Sequence, residues 1–207
     1  MGFPLSEYRK GLFSPFLQKI KYLYASMDAS YSHAADFYGF RCKGCAENCC
    51  EERFYHYTLS EHLYLCEGFS SLDELTAGRI LAGAADAAGR QRLHDQQGIH
   101  ERIMCPLNSE GLCIIYEYRP MICRIQGIPH KMKKPGQKEE AGPGCHKFTE
   151  EISTKNLPDS GFNLTEFYTE MAEIEIELRR KLNFGLRYKK TIAEMVVDLA
   201  AAMDKSV

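Results

Sequence analysis

The sequence predicts a mainly α-helical protein with an irregular, cysteine-rich centre and at most one short hairpin. Segments near both ends of the chain carry apolar residues at helical spacing, whereas all nine cysteines lie in the middle among glycines and prolines. A length of 207 residues suits one domain, and 44% apolar residues suffice for a core. We therefore expect a single domain over 1–207, with the cysteine-rich centre at 40–146.

An N-terminal helix is predicted over 15–35. Ser14 is a suitable N-cap, and Pro15 suits the first helical position because its missing N–H would be unpaired there anyway. Apolar residues follow at helical spacing: Phe16, Leu17, Ile20, Leu23 and Tyr24. Gly39 and Gly44 then break regular structure, so the first cysteines are expected on a loop or a single turn.

Three further elements are predicted before residue 100. The aromatic stretch "RFYHYTL" at 53–59 favours a short strand, and Ser60 would then cap a brief helix to about residue 67. Ser71 and Glu74 fit a capping box that opens a helix to about Arg92, because the alanine-rich run strongly favours helix.

Residues 104–124 are predicted to lack long regular elements. "NSEG" reads as a turn between two short extended pieces, and Pro120 excludes a continuous helix. The stretch "IPHKMKKPGQKEEAGPGC" combines proline, glycine and dense charge, which indicates a surface loop that returns to deliver Cys145.

The C-terminal helices are predicted within 163–204. Asn163 with Glu166 fits a capped start, and Gly185 would interrupt the first helix. Apolar residues recur in that helix at i, i+4, i+7 and i+11: Phe167, Met171, Ile174 and Leu178. Thr191 with Glu194 fits a capping box for the last helix.

Composition and termini narrow the class of protein. The start "MGFPLSEYRKGLF" lacks the apolar core of a secretory signal, so a cytoplasmic location is expected. No apolar run approaches the roughly 20 residues of a membrane span, and a formal charge of −2 argues against general nucleic-acid binding. The cytosol keeps thiols reduced, so nine cysteines indicate metal or redox chemistry rather than disulfides.

The cysteines divide into two groups of four plus Cys66. Cys66 lies among leucines on a predicted helix, where a lone cysteine behaves as a small buried hydrophobe. The other eight are the candidate metal ligands: Cys42, Cys45, Cys49, Cys50, Cys105, Cys113, Cys123 and Cys145. Such clustering of thiols favours metal binding over chance.

Spacing within the first group is informative about geometry. Cys42 and Cys45 are separated by two residues, and Gly44 allows the tight turn that brings two thiolates onto one ion. Adjacent Cys49 and Cys50 diverge in extended structure, so they serve different metals or different irons of one cluster, unless a special turn joins them. One four-thiolate site, two mixed sites and a polynuclear cluster all remain open.

Cations and histidines flank these thiols. A four-thiolate site around Zn²⁺ or a [4Fe–4S]²⁺ core carries the same charge of −2, which nearby cations would stabilise. The candidate cations are Arg41, Lys43, Arg119 and Arg124. Of these, Arg119 and Arg124 are taken as cofactor-binding. Ion pairs at the edge of the core would explain all four residues equally well. Three nearby histidines could each replace a thiol as a metal ligand: His100, His130 and His146. The alternative for each is an ordinary surface histidine that binds no metal.

The segments "CKGCAENCC" and "CPLNSEGLCIIYEYRPMICR", followed by Cys145, resemble the YkgJ-type cysteine-cluster family of zinc- or iron-chelating proteins with a CxxCxxxCC signature. The resemblance covers about residues 40–146 and implies metal chelation by the eight cysteines. A similar cysteine region occurs in the larger flagellin lysine N-methylase, which is associated with an iron–sulfur cluster and methyl transfer from S-adenosylmethionine. The resemblance implies no single reaction.

Three functions follow from these observations. We favour an iron-binding protein with an iron–sulfur cluster and a redox or protein-modification role, because irregular, long-range cysteine spacing is commoner for clusters than for compact zinc domains. A structural or regulatory zinc module that binds a protein partner is the alternative. S-adenosylmethionine-dependent methyl transfer to a protein substrate is a further one, with a groove lined by aromatic and arginine side chains: Tyr116, Tyr118, Arg119 and Arg124.

The sequence lacks the signatures of several common enzyme classes. It has no CxxxCxxC order of radical S-adenosylmethionine enzymes, no glycine-rich phosphate loop, no Gly-x-Ser-x-Gly elbow and no His-Glu-x-x-His pair. Hydrolase and nucleotide-binding functions therefore lose support, and no catalytic residue is assigned.

Overall fold

The computed structural model describes residues 10–42, 49–99, 101–152, 159 and 161–203. Within them the prediction of a mainly helical protein is confirmed. The helices are α1 (Lys10–Tyr38), α2 (Leu59–Phe69), α3 (Glu74–Gln97), α4 (Met121–Ile125), α5 (His146–Ile152), α6 (Thr165–Leu182) and α7 (Ile192–Met203). Two antiparallel hairpins pair β1 (Asn108–Ser109) with β2 (Leu112–Cys113) and β3 (His130–Lys133) with β4 (Glu139–Gly142). Single 3₁₀ turns lie at Cys49–Glu51 and Tyr116–Tyr118.

Helix α1 extends further than the sequence predicts. It includes Ser14, which is therefore not the N-cap, and Pro15 lies inside it. The missing N–H of Pro15 removes one helical bond near the helix start. Phe13 is buried, so packing favours helix upstream of the proline. At the other end Gly39 has φ +66° and donates to Asp36, as in a Schellman motif, and the chain then leads to Cys42.

The apolar core lies between α1, α2 and α6, with α7 packed against α2 and α3. Deeply buried side chains of this core come from α1, α2, α6 and α7: Ile20, Leu23, Tyr24, Met27, Leu59, Leu63, Leu65, Leu178, Met195 and Val196. Each such burial stabilises the fold by roughly 1.5–3 kcal/mol. We call these helices, α1, α2, α3, α6 and α7, the helical frame.

The start of α2 differs from the prediction in two ways. Residues 53–59 do not form a strand but contribute one isolated bridge, between His56 and Lys190. The N-cap is Thr58, whose hydroxyl accepts a hydrogen bond from Glu61 N at 3.2 Å, and not Ser60. The Ser60 hydroxyl instead donates to Glu175 of α6 at 2.8 Å, so tertiary contact decides the cap.

Helix α3 is capped by Asp73 rather than by the predicted Ser71. The Asp73 carboxylate accepts from Thr76 N at 2.9 Å, whereas the Ser71 hydroxyl donates to the Gly68 carbonyl at the end of α2. The helix continues past Arg92 to Gln97 and ends at Gly98, which has φ +67°.

The first hairpin confirms the predicted turn. Asn108 pairs with Cys113, and the two turn residues Glu110 and Gly111 have φ of 51° and 88°. Positive φ at both positions is the conformation of a tight hairpin turn. Helix α4 begins directly after Pro120, so no continuous helix runs through that proline.

The prediction of a surface loop at 128–145 is wrong, because most of it forms the hairpin β3–β4. Lys131 in β3 donates to the Phe162 carbonyl and accepts from Leu164 N, both at 2.8 Å, so this strand is anchored on the segment before α6. The described part of the chain thus contains two hairpins, where at most one was expected. Helix α5 was also missed, although its buried Phe148 and Ile152 have helical spacing.

The start of α7 agrees with the prediction, whereas the N-cap of α6 is Leu164, which makes no side-chain cap bond, and not Asn163. Asn163 accepts from Thr165 N at 2.9 Å before α6. The capping box of α7 is confirmed, because Thr191 N donates to the Glu194 carboxylate and Glu194 N to the Thr191 hydroxyl. Helix α6 ends at Asn183, with φ 48°, rather than at Gly185. Among the described residues no helix has the length and apolarity to cross a bilayer.

Candidate metal centre

A cavity of about 400 Å³ lies where the cysteine-bearing segments meet the start of α7. It is lined by six of the eight predicted ligands: Cys42, Cys49, Cys50, Cys105, Cys113 and Cys123. Every cysteine among the described residues is a free thiol. The fold therefore gathers thiols that are far apart in sequence around one space.

Backbone hydrogen bonds hold these thiol-bearing segments together. Cys105 N donates to the Cys50 carbonyl at 2.9 Å, which joins the two halves of the cysteine set directly. Cys105 O accepts from Asn108 N at 3.0 Å, at the start of the first hairpin, and Cys113 lies in the second strand of that hairpin. Cys123 is placed by α4, where its N–H donates to the Pro120 carbonyl at 3.1 Å.

Of the remaining two predicted ligands, Cys145 does not line the cavity. Cys45 lies outside the described residues. Cys145 opens α5, where its sulfur accepts from Phe148 N at 3.4 Å and its N–H donates to the Gly127 carbonyl at 3.1 Å. Burial, and then the neighbouring thiols of Cys42 and Cys145, raise the pKa of Tyr31 above its ordinary value, so these two thiols both lie near Tyr31.

Six soft sulfur donors around one cavity have the chemistry of a zinc or iron–sulfur site. However, within the described residues no group of three or more His, Cys, Asp or Glu side chains is arranged to hold a metal ion. The donor types thus fit a metal centre, while the sulfurs line the cavity without converging on one ion.

The thiols differ in how readily they ionise. A hydrogen bond with Cys49 lowers the pKa of Cys50 against the effect of burial, helped by the Asn108 amide and the Arg119 charge. The same hydrogen bond, and then burial, raises the pKa of Cys49. Burial raises the pKa of Cys105 to about 12 and also raises that of Cys123. Gathering several thiolates here therefore requires a compensating cation.

The two arginines taken as cofactor-binding lie in different places. Arg119 lines the cavity, with its guanidinium 3.4 Å from the centre of the Tyr116 ring. Arg124 is buried outside the lining, where it pairs with Asp28, lies 4.0 Å from the centre of the Tyr24 ring and donates to the Arg119 carbonyl. Arg41 pairs with Asp36, and Lys43 lies outside the described residues.

Of the flanking histidines named from sequence, His130 and His146 do not line the cavity. His130 lies half-buried in β3, His146 is exposed 3.7 Å from Glu150, and His100 is outside the described residues. Among the described residues, the cavity lining includes one histidine, His56, which the sequence reasoning missed. It lies in the aromatic stretch read as a strand, and nothing in its local sequence marks it as a ligand.

The prediction for Cys66 is confirmed. It is 4% exposed inside α2, and burial raises the pKa of its thiol. It does not line the cavity and is not part of the centre.

Comparison of the chain with protein-family models, curated proteins and solved structures gives no match. The resemblance to the YkgJ-type family stays a prediction from the cysteine motif.

Proposed function

We propose that this protein binds metal through its cysteine centre and that the bound group is an iron–sulfur cluster. The observation that carries the proposal is the lining of one cavity by six thiols from separate segments. The backbone bond between Cys105 and Cys50 adds support, because it keeps the two cysteine groups together independently of any metal.

The dimensions of the cavity favour a cluster over one ion. A structural zinc holds four sulfurs at about 2.3 Å and closes on itself, so it leaves little free space. A cluster binds each thiolate to a different iron and spaces the sulfurs further apart, which suits a cavity of about 400 Å³ and adjacent Cys49 and Cys50. The residues that would hold it are the six lining cysteines, with Cys45 and Cys145 as further candidates.

Chain residues around the cavity set its environment. An iron–sulfur cluster supplies one-electron transfer. Arg119 places a cation beside the thiols and offsets their negative charge. Leu112 and Tyr116 line the cavity and are 62% and 55% exposed, so the centre lies close to the surface, as electron exchange with a protein partner requires.

The test is anaerobic purification followed by elemental analysis, sulfide assay and visible absorption. We expect brown protein with iron and acid-labile sulfide in near-equal amounts. Cys105→Ser and Cys123→Ser should lose the bound metal, whereas the matched control Cys66→Ala should retain it. Colourless protein that contains only zinc would reject the cluster in favour of a zinc module, and protein that binds neither metal would reject the proposal.

A further inference from the structure

His56 occupies an unusual position for a buried histidine. It is 2% exposed and lines the same cavity as the thiols. Its N–H donates to the Lys190 carbonyl at 2.8 Å, and its carbonyl accepts from Lys190 N at 3.0 Å. The backbone is therefore fixed against the segment that leads into α7, and the ring has a defined place at the cavity wall.

The two ring nitrogens of His56 have different surroundings. Nδ1 lies 3.8 Å from Oε1 of Glu61, which is buried in α2 behind the ring. Nε2 is buried and has no hydrogen-bond partner in the described part of the chain. A buried polar atom without a partner costs about 1–3 kcal/mol, so a ligand of Nε2 would remove a real penalty.

Glu61 is itself held in place on both oxygens. Oε2 accepts from the Thr58 hydroxyl at 2.8 Å, and Oε1 accepts from Met121 N at 3.0 Å. A carboxylate that only accepts hydrogen bonds favours the proton of His56 on Nδ1, which leaves a lone pair on Nε2. Because Met121 begins α4, the same carboxylate also connects His56 to the helix that carries Cys123.

We propose that His56 is a ligand of the bound metal through Nε2, with Glu61 as the residue that orients its ring. This inference rests on the proposed function of the cavity as a metal centre. In a metal-binding histidine, the ring nitrogen that does not bind the metal almost always faces a carboxylate, a carbonyl or a water. The Glu61 carboxylate, 3.8 Å from Nδ1, supplies that group. The centre then has mixed sulfur and nitrogen ligands, and a neutral imidazole in place of a thiolate raises the reduction potential of a cluster.

The test compares His56→Gln with a matched control, His94→Gln. His94 is also buried, has a carboxylate of Glu101 3.0 Å from Nε2 and an unpartnered Nδ1, but does not line the cavity. Full-length protein with ¹⁵N-labelled histidine is loaded anaerobically with ferrous iron and sulfide, reduced, and measured by electron spin-echo spectroscopy. We expect a histidine nitrogen coupling in the wild type and in His94→Gln, and its loss in His56→Gln.

If the protein binds zinc instead, X-ray absorption spectroscopy of the zinc-loaded protein replaces the spin-echo measurement. We expect scattering from an imidazole ligand in the wild type and in His94→Gln, but not in His56→Gln. A second variant, Glu61→Gln, keeps an oxygen for the Met121 amide but removes the carboxylate charge. It should weaken zinc binding by about 10–100-fold in a competition titration.

Two outcomes separate this inference from the proposed function. A wild-type protein that binds iron or zinc but shows no histidine nitrogen at the metal overturns the inference and leaves the metal centre standing, and this result needs no variant to fold. A wild-type protein that binds neither metal overturns both.

Discussion

Two buried histidines, His62 in the helical frame and His56 at the cavity, show how the two regions differ. Nε2 of His62 lies 3.0 Å from the Met195 carbonyl, and Nδ1 lies 2.7 Å from the Tyr188 hydroxyl. Both nitrogens are therefore satisfied, whereas Nε2 of His56 has no partner among the described residues. The ring of His62 thus completes its polar contacts within the frame, while the ring of His56 at the cavity completes only one of its two.

Glu175 extends the comparison, because it is a buried charge that the frame satisfies fully. Its two oxygens accept from the backbone N–H groups of Leu59 and Ser60 and from the Ser60 hydroxyl at 2.8–2.9 Å, and Arg179 pairs with it at 2.5 Å. One side chain of α6 thus fixes the start of α2. We infer that the frame folds without metal and that the centre depends on it.

The largest predicted effect is that of Glu175→Ala on the frame. The change leaves two buried backbone N–H groups and one hydroxyl unpaired and removes the partner of Arg179. We expect the free energy of unfolding of the metal-free protein to fall by about 4 kcal/mol, measured by urea denaturation.

The matched control is Glu177→Ala on the same helix. Glu177 is exposed and pairs with exposed Lys19, so its loss should change stability by less than about 0.5 kcal/mol. Equal effects of the two variants would contradict the assignment of Glu175 as the residue that fixes the start of α2.

The next effect separates the two arginines. Arg124→Met removes three hydrogen bonds, to Asp28, Arg119 and Glu117, and a stack on Tyr24, so we expect a loss of about 3 kcal/mol in stability. Arg119→Met should lower the free energy of unfolding of the metal-free protein by less than about 1 kcal/mol. Its main effect should be weaker metal binding.

Urea denaturation and a metal-competition titration of both variants check this contrast. The reverse pattern, with Arg119 controlling stability and Arg124 controlling metal affinity, would show that the boundary between frame and centre has been drawn in the wrong place.

Local signals in the sequence predicted several features correctly. The capping box of Thr191 and Glu194, the turn at Glu110 and Gly111, and the burial of Cys66 each depend on residues a few positions apart. Short-range physics suffices for such features. Six of the eight candidate cysteines line one cavity, and distant backbone contacts rather than local spacing bring them there.

Features set by distant contacts could not be predicted. Ser60 was expected to cap α2, but its hydroxyl donates a hydrogen bond to Glu175, which is far away in the sequence. Strand β3 depends on backbone bonds to Phe162 and Leu164. His56 reaches the cavity because it pairs with Lys190, and its neighbours in sequence carry no sign of that pairing.

A smaller effect concerns the pH dependence of the frame through His62. Burial, and then the charge of Lys190, lowers the pKa of His62 to about 3, whereas an unfolded histidine has a pKa of about 6.5. Below pH 6.5 the unfolded chain therefore binds a proton that the folded chain excludes, so stability falls as pH decreases towards 3. We expect a loss of about 2 kcal/mol between pH 7 and pH 5.

Denaturation of wild type and His62→Gln across this range measures that contribution. The variant should lose this part of the pH dependence, whereas His33→Gln, a change at an exposed position of α1, should keep it. A wild-type stability that stays constant from pH 7 to pH 5 would contradict the burial of a neutral His62.

The smallest predicted effect tests how the frame and the centre are joined. A Cβ at Gly68 in α2 would lie 2.5 Å from a ring carbon of Tyr118, which belongs to the 3₁₀ turn between Cys113 and Cys123. Gly68→Ala gains roughly 1 kcal/mol in helix propensity, but the new methyl group must displace that ring. We therefore expect a net loss of about 1 kcal/mol in the free energy of unfolding, together with weaker metal binding.

Gly78→Ala in α3 is the matched control, because a Cβ there meets open space. It should stabilise the protein by about 0.5–1 kcal/mol and leave metal affinity unchanged, so the same chemical change acts with opposite sign at the two sites. If Gly68→Ala also leaves metal affinity unchanged, then Tyr118 does not transmit displacement from α2 to the cysteines. The close contact at Gly68 would in that case be a packing feature of the frame alone.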